Sequence, residues 1–375
     1  MNPPPLPPSR SRSSSTPRAA LCFLLLVVVG CLLAGYLNFD LFKQSATRIF
    51  QGLRPRSVAR STPDHANQGT DAIFREAQAY RYSTRMAYNA RRFDELETLA
   101  DTARSTRARF GNGSWKLYQF YGAFACADTE PESMWELHKE IHQAWIAAKP
   151  NSLTARVALL DFLVEYAWHA RGSGYADTIT AAGGRLFEAR LHEAHRVLDE
   201  SKALAGKAPD WWSAGMRLAL GEGWPRRELE DFYAQGKSAE PNYFNFDTLR
   251  SNFLATKWYG QPGDWEAAAN EASVDPAGLG LEIYARCVLV QYANYRNIFQ
   301  ETNATWVNTQ AGFELMRQRY PDSLEVASAY CRVACLAGDR PTAKRLFDLL
   351  GEQAFSNFWF NLENLRRDRA WANQT

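Results

Sequence analysis

Residues 324–351 read LEVASAYCRVACLAGDRPTAKRLFDLLG, and this stretch decides the fold class. Apolar residues recur at helical spacing on both sides of Gly338-Asp339, so we expect two helices joined by a tight turn. Ala343 is small enough to let the two helices approach closely, while Phe347 fills the space towards the next pair. The stretch therefore predicts two antiparallel helices in which Ala343 and Phe347 are buried.

Turn signals repeat along the chain at similar intervals. Pro209, Pro241, Pro276 and Pro321 are successively 32, 35 and 45 residues apart. A recurrence of about 34 residues is typical of stacked helix-turn-helix pairs. Because sustained runs of alternating β-branched residues are missing as well, we predict an all-α domain over residues 71–375. Short polar or glycine-containing runs at 89–91, 221–223, 260–263 and 337–339 predict turns between neighbouring helices.

Residues 324–351 resemble a tetratricopeptide repeat. Residues 88–96 (YNARRFDEL) and 263–268 (GDWEAA) are similar to the turn and second-helix start of the same repeat. The resemblance implies an α-α superhelix, or solenoid, with an extended concave face that binds a partner.

Two further elements carry a narrower resemblance. Residues 168–176 (WHARGSGYA) and 258–265 (WYGQPGDW) occur in this order. They resemble elements of a bacterial family of tetratricopeptide-like proteins of unknown function. Gly183-Gly184 departs from that pattern, since a bulky residue is expected before the next helix. The resemblance implies the fold and a bacterial source, and it brings no activity.

The N-terminal region predicts a membrane anchor. Residues 19–37, AALCFLLLVVVGCLLAGYL, contain no charged side chain. A helix of this length spans about 28 Å, close to the hydrocarbon core of about 30 Å. We therefore expect a disordered Pro/Ser/Arg-rich tail at 1–18, a transmembrane helix at 19–37 and a basic linker at 38–70.

The way in which the chain is anchored leaves two alternatives. Val28-Val29-Gly30-Cys31 resembles a lipobox, which would make the chain a lipoprotein anchored at Cys31. Otherwise the chain is a single-pass protein of the cell membrane. Arginine and lysine flank the apolar run almost equally, so the positive-inside rule decides little. Because large C-terminal domains translocate largely regardless of charge, we expect the helical domain on the outer, periplasmic side.

Composition argues against several classes of function. The formal net charge is +2 and the pI is about 8.2, so charge does not indicate a nucleic-acid partner. Six cysteines in a chain of this length do not form a disulfide framework. Cys331 and Cys335 lie four residues apart on one helix face, which predicts small buried side chains.

Histidine spacing gives the one candidate for metal chemistry. His138 and His142 lie four residues apart on a helix predicted over 132–148, with Glu140 between them. This order is not the zinc-protease HExxH, in which the glutamate directly follows the first histidine. A metal-dependent hydrolase that uses His138 and His142, with a further ligand from His192 or His195, is therefore an alternative. No P-loop, Gly-x-Ser-x-Gly elbow or metal-spaced cysteine set occurs, and no cofactor is indicated.

The leading functional interpretation is a membrane-anchored scaffold for protein–protein interaction. A protein or peptide partner would lie against aromatic and basic side chains near the first helix pair, for which we take Tyr80, Tyr82 and Arg85. Arg171 opens a glycine-containing loop that could contact an anionic group. A glycan-binding or envelope-binding module that uses exposed tryptophans is a further alternative.

Overall fold

Helices account for most of the chain in the computed structural model, which describes residues 71–172, 179–205 and 208–374. These residues form sixteen α-helices and three short 3₁₀ turns. The α-helices are α1 Ala72–Asn89, α2 Phe93–Thr106, α3 Lys116–Gly122, α4 Glu132–Ala148, α5 Leu153–Arg171, α6 Ala181–Ala205, α7 Pro209–Glu222, α8 Arg226–Ala239, α9 Asn245–Phe253, α10 Asp264–Ser273, α11 Leu281–Gln291, α12 Ile298–Glu301, α13 Trp306–Arg319, α14 Leu324–Ala337, α15 Arg340–Leu350 and α16 Leu362–Ala372.

The all-α prediction is confirmed for the described residues. The one β-type pairing among them is an isolated antiparallel bridge between Arg109 and Trp115. The four predicted turns separate α1 from α2, α7 from α8, α9 from α10 and α14 from α15, and the two helices of each pair contact one another. Consecutive helices packed in this way are compatible with a helical repeat.

The pair α14–α15 has the local features that its sequence predicts. Gly338 ends α14 in the left-handed region, with φ of 73°, a conformation that glycine adopts without steric cost. The Asp339 carboxylate then accepts a hydrogen bond of 3.0 Å from the Thr342 amide and caps the start of α15. Ala343 and Phe347 are 0% and 4% exposed, so the predicted burial of both is confirmed.

Gly183 has a structural role that the family resemblance does not predict. It lies in the first turn of α6, and a Cβ atom there would come within 2.6 Å of the Ala170 carbonyl oxygen. Glycine at this position therefore lets the start of α6 approach the end of α5 closely. The departure from the expected bulky residue has a packing explanation.

Large aromatic side chains form much of the core. Six tryptophans are less than 2% exposed, namely Trp115, Trp135, Trp145, Trp211, Trp265 and Trp359. Helix α5 is buried around most of its circumference, since eleven of its residues from Thr154 to Ala167 are buried. A helix that is apolar all round indicates an interior position.

Buried and partly buried ion pairs join helices that are far apart in sequence. Asp210 at the start of α7 accepts hydrogen bonds from Arg104 at 2.7 Å and from Tyr121 at 2.5 Å. Arg217 on α7 pairs with Asp161 on α5 through two oxygens, at 2.5 and 2.7 Å. Burial alone would lower the pKa of Arg217, but the Asp161 carboxylate raises it above its usual range. Both arginines therefore hold α7 to preceding helices as charged groups.

The connection between α2 and α3, residues 107–115, reaches distant parts of the chain. Arg107 pairs with Glu240 at 2.6 Å, and the Trp115 ring meets Tyr243 at 5.0 Å. Asn112 donates a hydrogen bond of 2.7 Å to Glu325 on α14. The loop thus packs against helices that follow it by more than a hundred residues.

The N-terminal predictions lie outside the described residues. These are the tail at 1–18, the transmembrane helix at 19–37, the linker at 38–70 and the lipidation site at Cys31. Within the described ranges, no helix combines the length and apolar character that a membrane span requires.

Candidate functional site

A cleft of about 410 Å³ opens between α6, α7 and α8, and we call it the α6–α8 cleft. Its floor is mostly aromatic and its rim is charged. The cleft is lined by His195, Leu198, Asp199, Lys202, Trp211, Trp212, Trp224, Pro225, Arg227, Glu228, Asp231, Phe232 and Gln235.

Local sequence explains why the aromatic rings collect there. Gly223 ends α7 with φ of 69°, and the Trp224 amide turns back to donate a hydrogen bond to Ala219. Pro225 then leads directly into α8. A Cβ atom on Gly215 would come within 2.5 Å of the Phe232 ring, so glycine allows that ring to lie against α7.

Three of the ring contacts on the floor are edge to face. Trp211 and Trp212 have centroids 4.8 Å apart and planes at 87°. Phe232 meets Trp212 at 4.6 Å and 60°, and Trp224 at 5.5 Å and 87°. Such contacts favour rigid aromatic clusters. Trp211 donates its indole hydrogen to Ser201 at 2.8 Å, whereas the indole nitrogen of Trp212 has no hydrogen-bond partner among the described residues.

Glu222 fixes two side chains of the cleft wall. Its Oε2 accepts hydrogen bonds of 2.7 Å from the Trp224 indole nitrogen and of 2.7 Å from Nδ1 of His195. Because a carboxylate is only an acceptor, Nδ1 of His195 carries the hydrogen in this contact. The opposite ring nitrogen of His195 lies 3.7 Å from Asp199. The Glu222 carboxylate therefore holds two side chains of the wall in place.

Charged side chains on the rim are exposed and weakly paired. Asp231 and Arg227 are 3.9 Å apart, with side chains 71% and 93% exposed. The side chain of Asp199 is 70% exposed. Glu228 forms no ion pair within the described ranges. With Lys202 as the second cation, the rim holds three carboxylates against two cations.

The predicted partner-binding residues of α1 have different surroundings. Tyr82 is 68% exposed. Tyr80 is half-buried against Phe110, with centroids 5.6 Å apart, and burial raises its pKa to about 12. Arg85 points inward, where it donates to the carbonyl oxygens of Ala123 at 3.2 Å and Ala125 at 3.1 Å. Arg85 thus satisfies carbonyl groups just beyond the end of α3, and Tyr82 alone of the three is well exposed.

His138 and His142 are both buried on α4, but their surroundings differ. His138 contacts Arg85 through Nε2 at 3.0 Å and the Tyr88 hydroxyl through Nδ1 at 3.1 Å. Burial, and then the charge of Arg85, lower the pKa of His138 to about 4. His142 is 0% exposed, and neither ring nitrogen has a hydrogen-bond partner in the described part of the chain. Burial lowers its pKa well below the usual value.

One possible set of metal ligands includes His138 and not His142. Ligand atoms of Cys126, Glu130 and His138 lie within 4.8 Å of one another. However, the Arg85 guanidinium already occupies Nε2 of His138 and brings a positive charge to the group. Burial also raises the pKa of Cys126 above its usual range, which disfavours the thiolate that metals bind. An arginine therefore serves as the cation at this position.

Arg171 lies where the two elements of the narrower resemblance meet. Trp168 and Trp258 have ring centroids 5.8 Å apart, although they are separated by 90 positions in the sequence. The Arg171 guanidinium lies 5.4 Å from the Trp168 ring, and burial lowers the pKa of Arg171. The structure thus brings Trp168, Arg171 and Trp258 together, and none of them lines the α6–α8 cleft. Residues 173–176 of the first element lie outside the described residues.

Lys257 is a buried cation next to the second element. It is 5% exposed, and its Nζ has no hydrogen-bond partner among the described residues. Burial lowers its pKa to about 7. A group in this state is costly to the fold, because burial disfavours the charged amine.

Comparisons with protein-family models, with curated proteins and with solved structures gave no match to this chain. The family resemblance therefore rests on the quoted residues alone, and the helix packing is compatible with a helical repeat.

The α6–α8 cleft is not among the sites that the sequence predicts. The available signal was local, since the pair Trp211-Trp212 and then Trp224 lie close to the two ends of one helix. The contact of His195 with Glu222 joins positions on two helices, and no spacing rule within one helix could indicate it.

Proposed function

We propose that this chain is a membrane-anchored scaffold that binds a partner protein through the α6–α8 cleft. In this proposal the helices form a tetratricopeptide-like superhelix, residues 19–37 span the cell membrane once, and the helical domain lies on the periplasmic side. The observation that carries the proposal is an aromatic floor that opens to solvent beneath a charged rim. Aromatic anchors in such pockets dominate the energetics of protein interfaces.

The loop at residues 107–115 supports the choice of this surface. The loop packs against Tyr243 and Glu325, so these residues already have contacts within the chain. The cleft, in contrast, keeps a volume of about 410 Å³ open. A partner can enter the cleft without displacing part of this loop.

Site-specific photo-crosslinking in cells tests this function. A photoreactive residue at Gln235, on the cleft, should capture a defined protein that the same residue at Tyr82 does not capture. Gln235 is exposed, so the replacement leaves the core intact. If the two positions capture the same proteins, or if Gln235 captures no protein, the proposal is overturned.

The anchor has a separate test. The full chain should stay in the membrane fraction through alkaline extraction, and deletion of residues 19–37 should release it. If replacement of Cys31 by alanine also releases the chain, the lipoprotein alternative is correct and the transmembrane span is not.

A further inference from the structure

The aromatic rings on the floor of the α6–α8 cleft present flat apolar faces that are inclined to one another. Phe232 stands at 60° to Trp212 and at 87° to Trp224, so neighbouring rings face different directions. Proline rings pack well against aromatic faces, and a polyproline II segment reaches such grooves already extended. A segment of this kind therefore loses little conformational entropy when it binds.

The charge of the rim indicates which charge the ligand carries. Its carboxylates outnumber its cations by three to two, and Glu228 has no ion-pair partner within the described ranges. Among the described residues, Asp231 forms an ion pair with Arg227 alone, at 3.9 Å. A basic side chain next to the prolines would find complementary charge here.

Exposure of the rim favours a peptide over a glycan. Recognition of sugar hydroxyls needs polar side chains that are fixed in position, because each hydrogen bond depends on direction. Asp199 and Asp231 are 70% and 71% exposed, and neither forms an ion pair shorter than 3.7 Å in the described part of the chain. Coulombic attraction between an exposed carboxylate and a basic side chain depends on distance more than on direction.

We infer that the α6–α8 cleft recognises an extended, proline-rich segment of the partner protein that carries an arginine or lysine. This inference rests on the proposed function and names the chemistry of its ligand. Prolines contact Trp212, Trp224 and Phe232, and the basic side chain lies at Glu228 and Asp231.

Binding to purified full-length protein in detergent tests the inference. The probe is a fluorescent polyproline peptide that ends in Arg-Arg, followed by fluorescence anisotropy. Control probes are polyproline ending in Glu-Glu, an alanine-rich peptide ending in Arg-Arg, and a labelled β-linked glucose oligosaccharide. The first probe should bind at least about tenfold more tightly than each control, and added salt should weaken its binding.

Protein variants then locate the binding. The double replacement Glu228→Lys and Asp231→Lys should weaken binding about tenfold. Glu363→Lys, an exposed acid on α16, is the matched control and should leave binding unchanged. Trp212→Leu removes an aromatic face of the floor and keeps an apolar side chain, so it should weaken binding about tenfold. Circular dichroism of each variant confirms that the helices remain folded.

Several results would overturn the inference. Equal binding of the Arg-Arg and Glu-Glu probes refutes the charge argument, and equal binding of the alanine-rich probe refutes the role of proline. Preference for the oligosaccharide makes the site a glycan site. If the Gln235 crosslink captures a partner but no polyproline probe binds, this inference fails and the scaffold function stands. If the crosslink captures no partner, the scaffold function itself fails.

Discussion

Replacement of Lys257 by methionine should stabilise this protein. Lys257 is 5% exposed and has no hydrogen-bond partner among the described residues, and burial lowers its pKa from 10.5 to about 7. Between these two pH values the amine of Lys257 therefore carries its proton in the unfolded chain and lacks it in the folded chain. Stability consequently rises as the pH increases from about 7 towards 10.5, and the full penalty is present below pH 7.

The size of the effect follows from the change in pKa. Each pKa unit corresponds to about 1.4 kcal/mol, so the whole difference corresponds to about 5 kcal/mol. The same linkage gives a cost of about 4 kcal/mol at pH 7 and about 2 kcal/mol at pH 9. Because local relaxation and water entry reduce such costs, Lys257→Met should raise the free energy of unfolding at pH 7 by about 2–4 kcal/mol.

Urea denaturation of the full-length protein in detergent, followed by tryptophan fluorescence at pH 7, 8 and 9, measures this effect. The gain should shrink steadily as the pH rises. Lys344→Met is the matched control, since Lys344 is an exposed lysine on α15 with a side chain 53% accessible, and its effect should not change with pH. If Lys257→Met lowers stability, or gives a constant difference from pH 7 to 9, the reasoning about the buried amine is wrong.

Three other stability measurements follow from buried positions. Ala343→Trp should cost about 1–3 kcal/mol of unfolding free energy in urea denaturation through overpacking, and an unchanged value would contradict the burial of Ala343. Asp210→Asn should cost about 3–5 kcal/mol because Arg104 loses its buried partner. The control Asp101→Asn removes an exposed partner of the same arginine and should cost less than about 1 kcal/mol. His142→Phe should not destabilise at pH 7, because it removes two unsatisfied buried nitrogens. Because the pKa of His142 is lowered, the stability of the wild-type protein falls as the pH drops below about 6.5. His142→Phe should reduce that fall. If the variant loses stability with falling pH as steeply as the wild type, His142 is not a buried neutral histidine.

Local features of the fold were predictable from sequence, because one helix or one turn determines them. Gly338 ends α14 where its sequence predicts, and Ala343 and Phe347 are buried as helical spacing requires. The helix at Glu132–Ala148 has the predicted bounds. Each of these predictions depends on residues within a few turns of one another.

Contacts between distant segments were not predictable in the same way. Arg85 was placed on a binding surface because its residue type suits one, yet it donates to carbonyl oxygens just after α3, about forty residues away. The loop that carries Asn112 has no sequence signal for its contact with Glu325. Such contacts depend on how helices stack, and helical periodicity within one segment does not encode that arrangement.

Polar networks at the two ends of α7 connect the core to the cleft. Asp210 directly precedes Trp211 and Trp212, so the ion pair with Arg104 fixes the end of the helix that supplies two rings of the floor. At the other end of α7, Glu222 holds Trp224 and His195. The cleft floor is therefore positioned from both ends of one helix. It follows that Asp210→Asn should weaken binding of the polyproline probe at a temperature where the helices remain folded, although Asp210 does not line the cleft. Asp101→Asn should not do so, and an equal effect of the two replacements would show that α7 does not transmit this restraint.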